Sequence, residues 1–92
     1  MGRIRLIQVV GKTTEGQLVL SGLYKYFETT GLPLSIIFEY IKNKNMVPSW
    51  NHLYKEMVRA GMNRDRIISR LSLDIFDVYG KEYRDIILGS IG

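Results

Sequence analysis

The side chains best suited to chemistry lie within residues 63–70, NRDRIISR. Five polar residues fall on the outward face of the N-terminal half of a predicted helix: Asn63, Arg64, Arg66, Ser69 and Arg70. Amide, hydroxyl and guanidinium groups of this kind bind base edges and phosphates in a DNA major groove. The stretch therefore predicts a nucleic-acid-binding surface, and a merely solvated helix face is the alternative interpretation.

Four further cations extend this predicted surface. Lys55 and Arg59 belong to the preceding helix and are predicted phosphate contacts. Arg3 and Arg5 lie near the N-terminus, where an extended arm can enter a minor groove or follow the phosphates. A short edge strand or a frayed end is the alternative for this N-terminal segment.

Positive charge is concentrated around these residues. The chain of 92 residues has a formal net charge of +4. Residues 42–70 carry seven Lys and Arg against two Asp and Glu, a net of +5, and residues 1–12 carry +3. Residues 13–41 and residues 71–92 each carry −2. Such an asymmetric charge would orient the molecule on an anionic partner.

The remaining polar groups offer little for catalysis. The sequence contains no cysteine and a single histidine, His52, so a metal site would need carboxylates. Gly11, Lys12 and Thr13 follow a strand-like run, as in a phosphate-binding loop, but the required glycine five positions before Gly11 is Leu6. We therefore predict a protein that is not an enzyme and has no cofactor or metal.

No part of the sequence predicts membrane insertion. The short apolar run LIQVV near the N-terminus lacks a small-residue cleavage site, and no apolar stretch is long enough to span a bilayer. A cytoplasmic protein that makes no membrane contact is the expectation.

Hydrophobic periodicity predicts an all-α or mostly α fold, a single domain formed by a small bundle of about five helices. The predicted parts are an arm or short strand over residues 1–12, a first helical unit over 14–45, a second over 49–80 and a last helix over 81–91. Thr14 and Gln17 have the spacing of a capping box, which predicts that the first helix begins near residue 14 and ends before Gly31. Pro33 is predicted to begin the second helix, Ser49 and Gly61 to bound the third, and Asn63 and Gly80 to bound the fourth.

The predicted core follows the apolar stripes of these helices. On the third helix the stripe is Trp50, Leu53, Tyr54 and Met57. On the fourth it is Ile67, Ile68, Leu71, Ile75, Val78 and Tyr79, and on the last it is Tyr83, Ile86 and Ile87. The spacing of three to four residues is that of a helix with one buried face.

Two stretches of the chain repeat each other. LYKYFETTGL begins at Leu23, and LYKEMVRAGM begins at Leu53. In both copies a helix is followed by a glycine, Gly31 or Gly61, then by an apolar residue and a second helix. The arrangement resembles the helix-turn-helix class, in which the glycine permits the turn and the apolar residue plugs the angle between the helices. The resemblance is best over residues 52–71 and weaker over 22–41.

This resemblance implies that the helix after Gly61 is the one that contacts DNA. The corresponding stretch of the first copy carries no positive charge and is predicted to pack or to dimerise: Pro33, Leu34, Ser35, Ile36, Glu39 and Tyr40. The resulting hypothesis is a DNA-binding protein with a regulatory or packaging role, for example from a virus or mobile element. The alternative is a helical assembly or adaptor protein whose basic face binds an acidic protein. An uncovered apolar stripe near Trp50 and Phe76 would favour a homodimer or a higher oligomer.

Overall fold

The computed structural model describes residues 7–91, so Arg3 and Arg5 of the predicted arm lie outside the described residues. The prediction of a mostly α fold is confirmed, since helices account for 64% of the structure. The elements, in chain order, are β1 (Gln8–Lys12), β2 (Leu18–Ser21), α1 (Leu23–Thr30), α2 (Leu34–Asn43), β3 (Val47–Pro48), α3 (Trp50–Arg59), α4 (Arg64–Tyr79) and α5 (Lys81–Ser90).

A small three-stranded sheet holds the N-terminal part of the chain. The short strand predicted as one alternative for residues 1–12 occurs as β1, whereas β2 and β3 were not predicted. Strands β1 and β2 form an antiparallel hairpin, and β2 pairs in parallel with β3. The prediction of a helix beginning near Thr14 is therefore wrong for residues 14–22. Thr13 closes the hairpin loop instead, because its hydroxyl accepts from the Gln17 amide at 3.0 Å and its own amide donates to the Gln17 carbonyl at 2.8 Å.

The repeated unit seen in the structure is longer than the repeated stretch seen in the sequence. Each copy consists of a short strand followed by two helices, β2-α1-α2 and then β3-α3-α4. The two equivalent strands lie side by side, with Val19 opposite Val47 and Leu20 opposite Pro48. The repeat is therefore a duplicated strand–helix–helix unit whose halves share one sheet.

The predicted helix bounds hold from residue 33 onward. Pro33 caps α2, Ser49 precedes α3, and Asn63 caps α4. The Asn63 side-chain oxygen accepts a hydrogen bond from the Arg66 amide at 2.8 Å. Gly80 separates α4 from α5 with a φ of 91°. These ends were predictable because each depends on a local signal.

One core joins the elements of both copies. Its buried side chains are Leu20, Leu23, Leu34, Ile37, Phe38, Ile41, Leu53, Met57, Ile67, Leu71, Ile75, Ile87 and Ile91. Partly buried aromatic residues, including Trp50, Tyr54, Tyr79 and Tyr83, pack against this core. The predicted burial of Ile86 is wrong, since this residue is 68% exposed on the outer side of α5. The predicted burial of its neighbour Ile87 is confirmed.

Candidate nucleic-acid interface

The turn between α3 and α4 fixes the orientation of α4 relative to α3. Gly61 has a φ of 95°, a left-handed conformation that glycine adopts without a steric penalty. Its amide donates to the Val58 carbonyl at 3.0 Å, and the Met62 amide donates to the Met57 carbonyl at 3.2 Å. This pair of bonds is a Schellman motif. The Met62 side chain packs on the core, as predicted for the apolar residue after the glycine.

The first copy forms a different turn. The Gly31 amide donates to the Phe27 carbonyl at 2.9 Å, and the Leu32 amide donates to the Thr30 hydroxyl at 3.3 Å. Leu32 is consequently directed outward and is 41% exposed. The prediction that the residue after the glycine plugs the turn is therefore wrong in the first copy.

All five polar residues predicted for the surface of α4 are exposed, and between them Ile67 and Leu71 have no accessible surface. Arg64 and Arg66 lie in the first turn of the helix. Within residues 7–91 neither arginine has a carboxylate within ion-pair distance. Two guanidinium groups at a helix N-terminus, with no internal counter-ion, are available for an external anion. Asp65 adds one negative charge to the same turn.

Arg70 differs from the other two arginines because it is already engaged. Its Nε lies 3.6 Å from Oδ2 of Asp74, one turn further along α4. Its guanidinium also lies over the Phe27 ring of α1, with 5.1 Å between Cζ and the ring centroid. Arg70 thus joins the two helical units, and its side chain is only 43% exposed. A substitution of Arg70 would alter packing as well as charge.

Asp74 is the partly buried member of this pair. Its side chain is 17% exposed, and Oδ2 has no hydrogen-bond partner in the described part of the chain. The 3.6 Å separation from Arg70 is an ion pair that is too long for a hydrogen bond. Burial raises the pKa of Asp74 above 3.8, Arg70 opposes this shift, and Asp77 adds to it. The ionised carboxylate is therefore less stable here than in the unfolded chain.

Substitutions of Asp74 and Arg70 should change the free energy of unfolding in opposite directions, and both changes should depend on pH. Because the folded pKa of Asp74 is raised, folding binds a proton between pH 3.8 and that pKa, so the ionised form lowers stability above this window. Asp74→Asn should raise the free energy of unfolding near pH 7. Arg70→Ala should lower it by up to about 1 kcal/mol. The Asp74→Asn difference should shrink as the pH approaches 3.8 in urea titrations, and the Arg70→Ala difference should shrink to the loss of its contact with Phe27. A pH-independent effect would contradict this account of Asp74.

Lys55 and Arg59 lie one turn apart on the exposed side of α3. Arg59 lines a cleft of about 350 Å³ between α1 and α3, together with Lys25, Glu28 and Glu56. The two carboxylates offset part of the positive charge in this cleft. Arg64 and Arg66 are consequently stronger candidates for phosphate contact than Arg59.

The first copy of the repeat has apolar residues at the positions equivalent to Arg66 and Arg70. Ile36 corresponds to Arg66 and Tyr40 to Arg70, thirty positions apart in each case. Ile36 is 49% exposed and Tyr40 is 61% exposed. This stretch was predicted to pack or to dimerise: Leu34 packs in the core, Ile36 and Tyr40 do not, and dimerisation stays a prediction. The two copies therefore share a geometry and differ in surface chemistry.

The remaining groups that could bind phosphate or a metal ion lie apart from α4. Gly11 and Lys12 lie in β1, and the next element is strand β2, so the strand-to-helix context of a phosphate-binding loop does not occur there. His52 is exposed, and its Nδ1 lies 2.6 Å from the Ser49 hydroxyl. Within residues 7–91 no three His, Cys, Asp or Glu side chains are grouped so as to hold a metal ion. None of the described helices combines the length and apolar character needed to cross a membrane.

Asp74 was not among the site residues predicted from the sequence. Its spacing of four residues from Arg70 is a readable signal for an ion pair within a helix. The contact of Arg70 with Phe27 has no such signal, because these residues are 43 positions apart and meet only in the folded chain. Comparison with protein families, curated proteins and solved structures finds no match to this chain.

Proposed function

We propose that this protein binds duplex DNA, without catalysis, through the exposed face of α4, in a regulatory or packaging role. The observation that carries the proposal is the pair Arg64 and Arg66. Both are exposed in the first turn of a helix whose opposite face is buried, and both lack an ion pair within the described residues. Asn63 and Ser69 flank them with further polar groups.

The geometry of α4 suits a groove-binding helix. Its 16 residues extend roughly 24 Å at 1.5 Å per residue, and its N-terminal end follows the glycine turn. Helix-turn-helix proteins contact base edges with the N-terminal residues of the second helix. The partial positive charge of the helix N-terminus adds to that of the two arginines and favours phosphate. In this proposal Lys55, which is exposed on α3, is a flanking phosphate contact.

The double substitution Arg64→Gln/Arg66→Gln tests this proposal. Neither arginine takes part in an internal ion pair, so circular dichroism should be unchanged while affinity for duplex DNA falls at least about tenfold at low salt. If both arginines contact phosphates, the slope of log K against log salt should also decrease by about 2. Fluorescence anisotropy with a labelled duplex over a salt series measures both quantities.

A charge-matched control separates a specific surface from general attraction. Lys12→Gln/Lys81→Gln removes the same charge from exposed positions on the hairpin and on α5. This variant should retain most of the affinity. If the two double variants lose affinity equally, only net charge matters, and the assignment to α4 is wrong. Absence of binding by the unmodified protein at low salt would refute DNA binding altogether.

A second candidate function is a helical assembly or adaptor protein whose basic face binds an acidic protein partner. The observation that favours it is a set of exposed apolar side chains on α4 and α5, Leu73, Phe76 and Ile86. Leu73 and Phe76 lie three residues apart on α4, and exposed apolar groups that are neighbours on a helix are typical of protein–protein contact. Binding of acidic protein together with an absence of DNA binding would support this candidate.

A further inference from the structure

The guanidinium of Arg70 is held by two neighbours, but its hydrogen-bond donors are not used. It lies over the Phe27 ring at 5.1 Å, and its Nε faces Asp74 Oδ2 at 3.6 Å, beyond hydrogen-bond distance. Within residues 7–91 this guanidinium donates no hydrogen bond, and Asp74 Oδ2 accepts none. The N–H groups of Arg70 are therefore available while the side chain that carries them is restricted.

Arg84 on α5 has the same kinds of neighbour but uses its donors internally. Its guanidinium lies over the Phe76 ring at 5.4 Å and beside Asp85. Its Nε and Nη2 both donate to Asp85 Oδ1, at 3.2 Å and 3.1 Å. An aromatic ring and an aspartate thus satisfy Arg84, whereas a similar pair leaves Arg70 able to bind acceptors from outside the molecule.

Arg70 lies on the face of α4 that we propose to bind DNA. It follows Arg66 by four residues, and this spacing places the two side chains on the same side of the helix, one turn apart. The Arg70 side chain is 43% exposed, so part of it remains accessible beside the Phe27 contact. A ligand that reaches Arg66 along this face can therefore also reach Arg70.

A guanidinium whose position is restricted suits the recognition of a base. Its N–H groups form a planar fork that matches two neighbouring acceptors, and a side chain that is already held loses less entropy on binding. In the major groove guanine presents two acceptors, O6 and N7, whereas adenine presents one acceptor and one donor. Phosphate attracts any nearby cation by charge, so contact with phosphate needs no such restriction.

We propose that Arg70 is a specificity-determining residue that donates two hydrogen bonds to O6 and N7 of a guanine in the major groove, with Phe27 as its positioning residue. The inference rests on the proposed function and names what the face of α4 recognises, namely sites that contain G·C pairs. Because Nε faces Asp74, the terminal nitrogens Nη1 and Nη2 are the donors assigned to the base.

Two labelled duplexes of identical G·C sequence, one with guanine and one with 7-deazaguanine, test this inference by fluorescence anisotropy at low salt. 7-Deazaguanine lacks the N7 acceptor but leaves the phosphates unchanged, so the general electrostatic attraction is the same for both duplexes. The unmodified protein should bind the guanine duplex at least about threefold more tightly than the 7-deazaguanine duplex.

Arg70→Lys keeps the positive charge but replaces the planar fork with a single ammonium group. This variant should bind the two duplexes about equally, with unchanged circular dichroism. Arg84→Lys is the matched control, because Arg84 also lies over a phenylalanine ring and beside an aspartate, and it should discriminate like the unmodified protein. Phe27→Leu keeps an apolar side chain without the ring and should reduce the discrimination about two- to fivefold. It decides the question if Arg70→Lys loses helicity.

The outcomes separate this inference from the proposed function. Equal binding of the two duplexes by the unmodified protein would overturn the inference and leave DNA binding by α4 intact. Discrimination that survives Arg70→Lys, or that is lost in Arg84→Lys, would also overturn it, and an unchanged ratio in Phe27→Leu would overturn the role of Phe27. If the unmodified protein binds neither duplex, the proposed function fails together with the inference.

Discussion

Phe38→Ala is expected to lower the free energy of unfolding by about 3–5 kcal/mol. Phe38 has no accessible surface, and its ring lies 5.3 Å from that of Trp50 and 6.4 Å from that of Tyr79, measured between centroids. The ring thereby connects α2 to α3 and α4. Its removal leaves a cavity that these helices can fill only in part, so both contact energy and transfer energy are lost.

The expected loss is large for a chain of this size. Small domains are stable by about 5–15 kcal/mol, so Phe38→Ala removes a substantial share and should lower the melting temperature by at least about 10 °C. Urea denaturation can be followed through the fluorescence of Trp50, the one tryptophan of the sequence, which contacts the substituted site.

Phe76→Ala is the control for this experiment, since it removes the same side chain from a position that is 49% exposed. The Phe76 ring lies beneath the Arg84 guanidinium at 5.4 Å, a contact with a small expected contribution. We expect a loss below about 1 kcal/mol for this variant. Equal destabilisation by the two alanine variants would show that Phe38 does not occupy the centre of the core.

Local signals and hydrophobic periodicity predict the helical part of the candidate surface. The bounds of the helices from α2 to α5 were readable because their signals are local: Pro33, Gly61, Asn63 and Gly80 each mark an end through the conformation or hydrogen bond that the residue provides. The exposure of Arg64 and Arg66 followed from the same periodicity. These features of the candidate surface needed no knowledge of distant parts of the chain.

The β1–β2 hairpin could not be predicted from local signals. The spacing of Thr14 and Gln17 suits a capping box, but the hairpin loop uses the same small polar residue types for its own hydrogen bonds. What favours strand over helix for residues 18–21 is their pairing with β1, where Val9 lies opposite Leu20, and with β3, where Val19 lies opposite Val47 across 28 positions. Such a contact is decided by tertiary structure, which overrides local propensity.

Glu56→Ala is expected to lower the free energy of unfolding by about 2 kcal/mol, through a contact that the sequence did not predict. Helix α1 begins after Gly22, whose lack of a side chain leaves the first amides without a local cap. Glu56 of α3 replaces that cap, since its Oε2 accepts from the Gly22 amide at 2.8 Å and its Oε1 accepts from the Tyr24 amide at 3.0 Å. The negative charge also complements the positive end of the helix dipole.

The amide groups provide the most direct measurement of this cap. In Glu56→Ala, hydrogen exchange at Gly22 and Tyr24 should accelerate more than exchange in α4, because α1 has only eight residues and is marginal without the cap. Glu56→Gln should be intermediate, since a carboxamide keeps one acceptor oxygen and loses the charge.

Glu28→Ala is the matched control, because Glu28 is an exposed helical glutamate that lines the same cleft and whose carboxylate accepts no hydrogen bond within residues 7–91. It should change stability by no more than about 0.5 kcal/mol. If Glu56→Ala resembles this control, the cap contributes nothing and α1 is held by packing alone. If it behaves as expected, the second copy of the repeat stabilises the first through Glu56, whose equivalent in the first copy is Tyr26. The divergence of the two copies at this position would then be part of what holds the duplicated fold together.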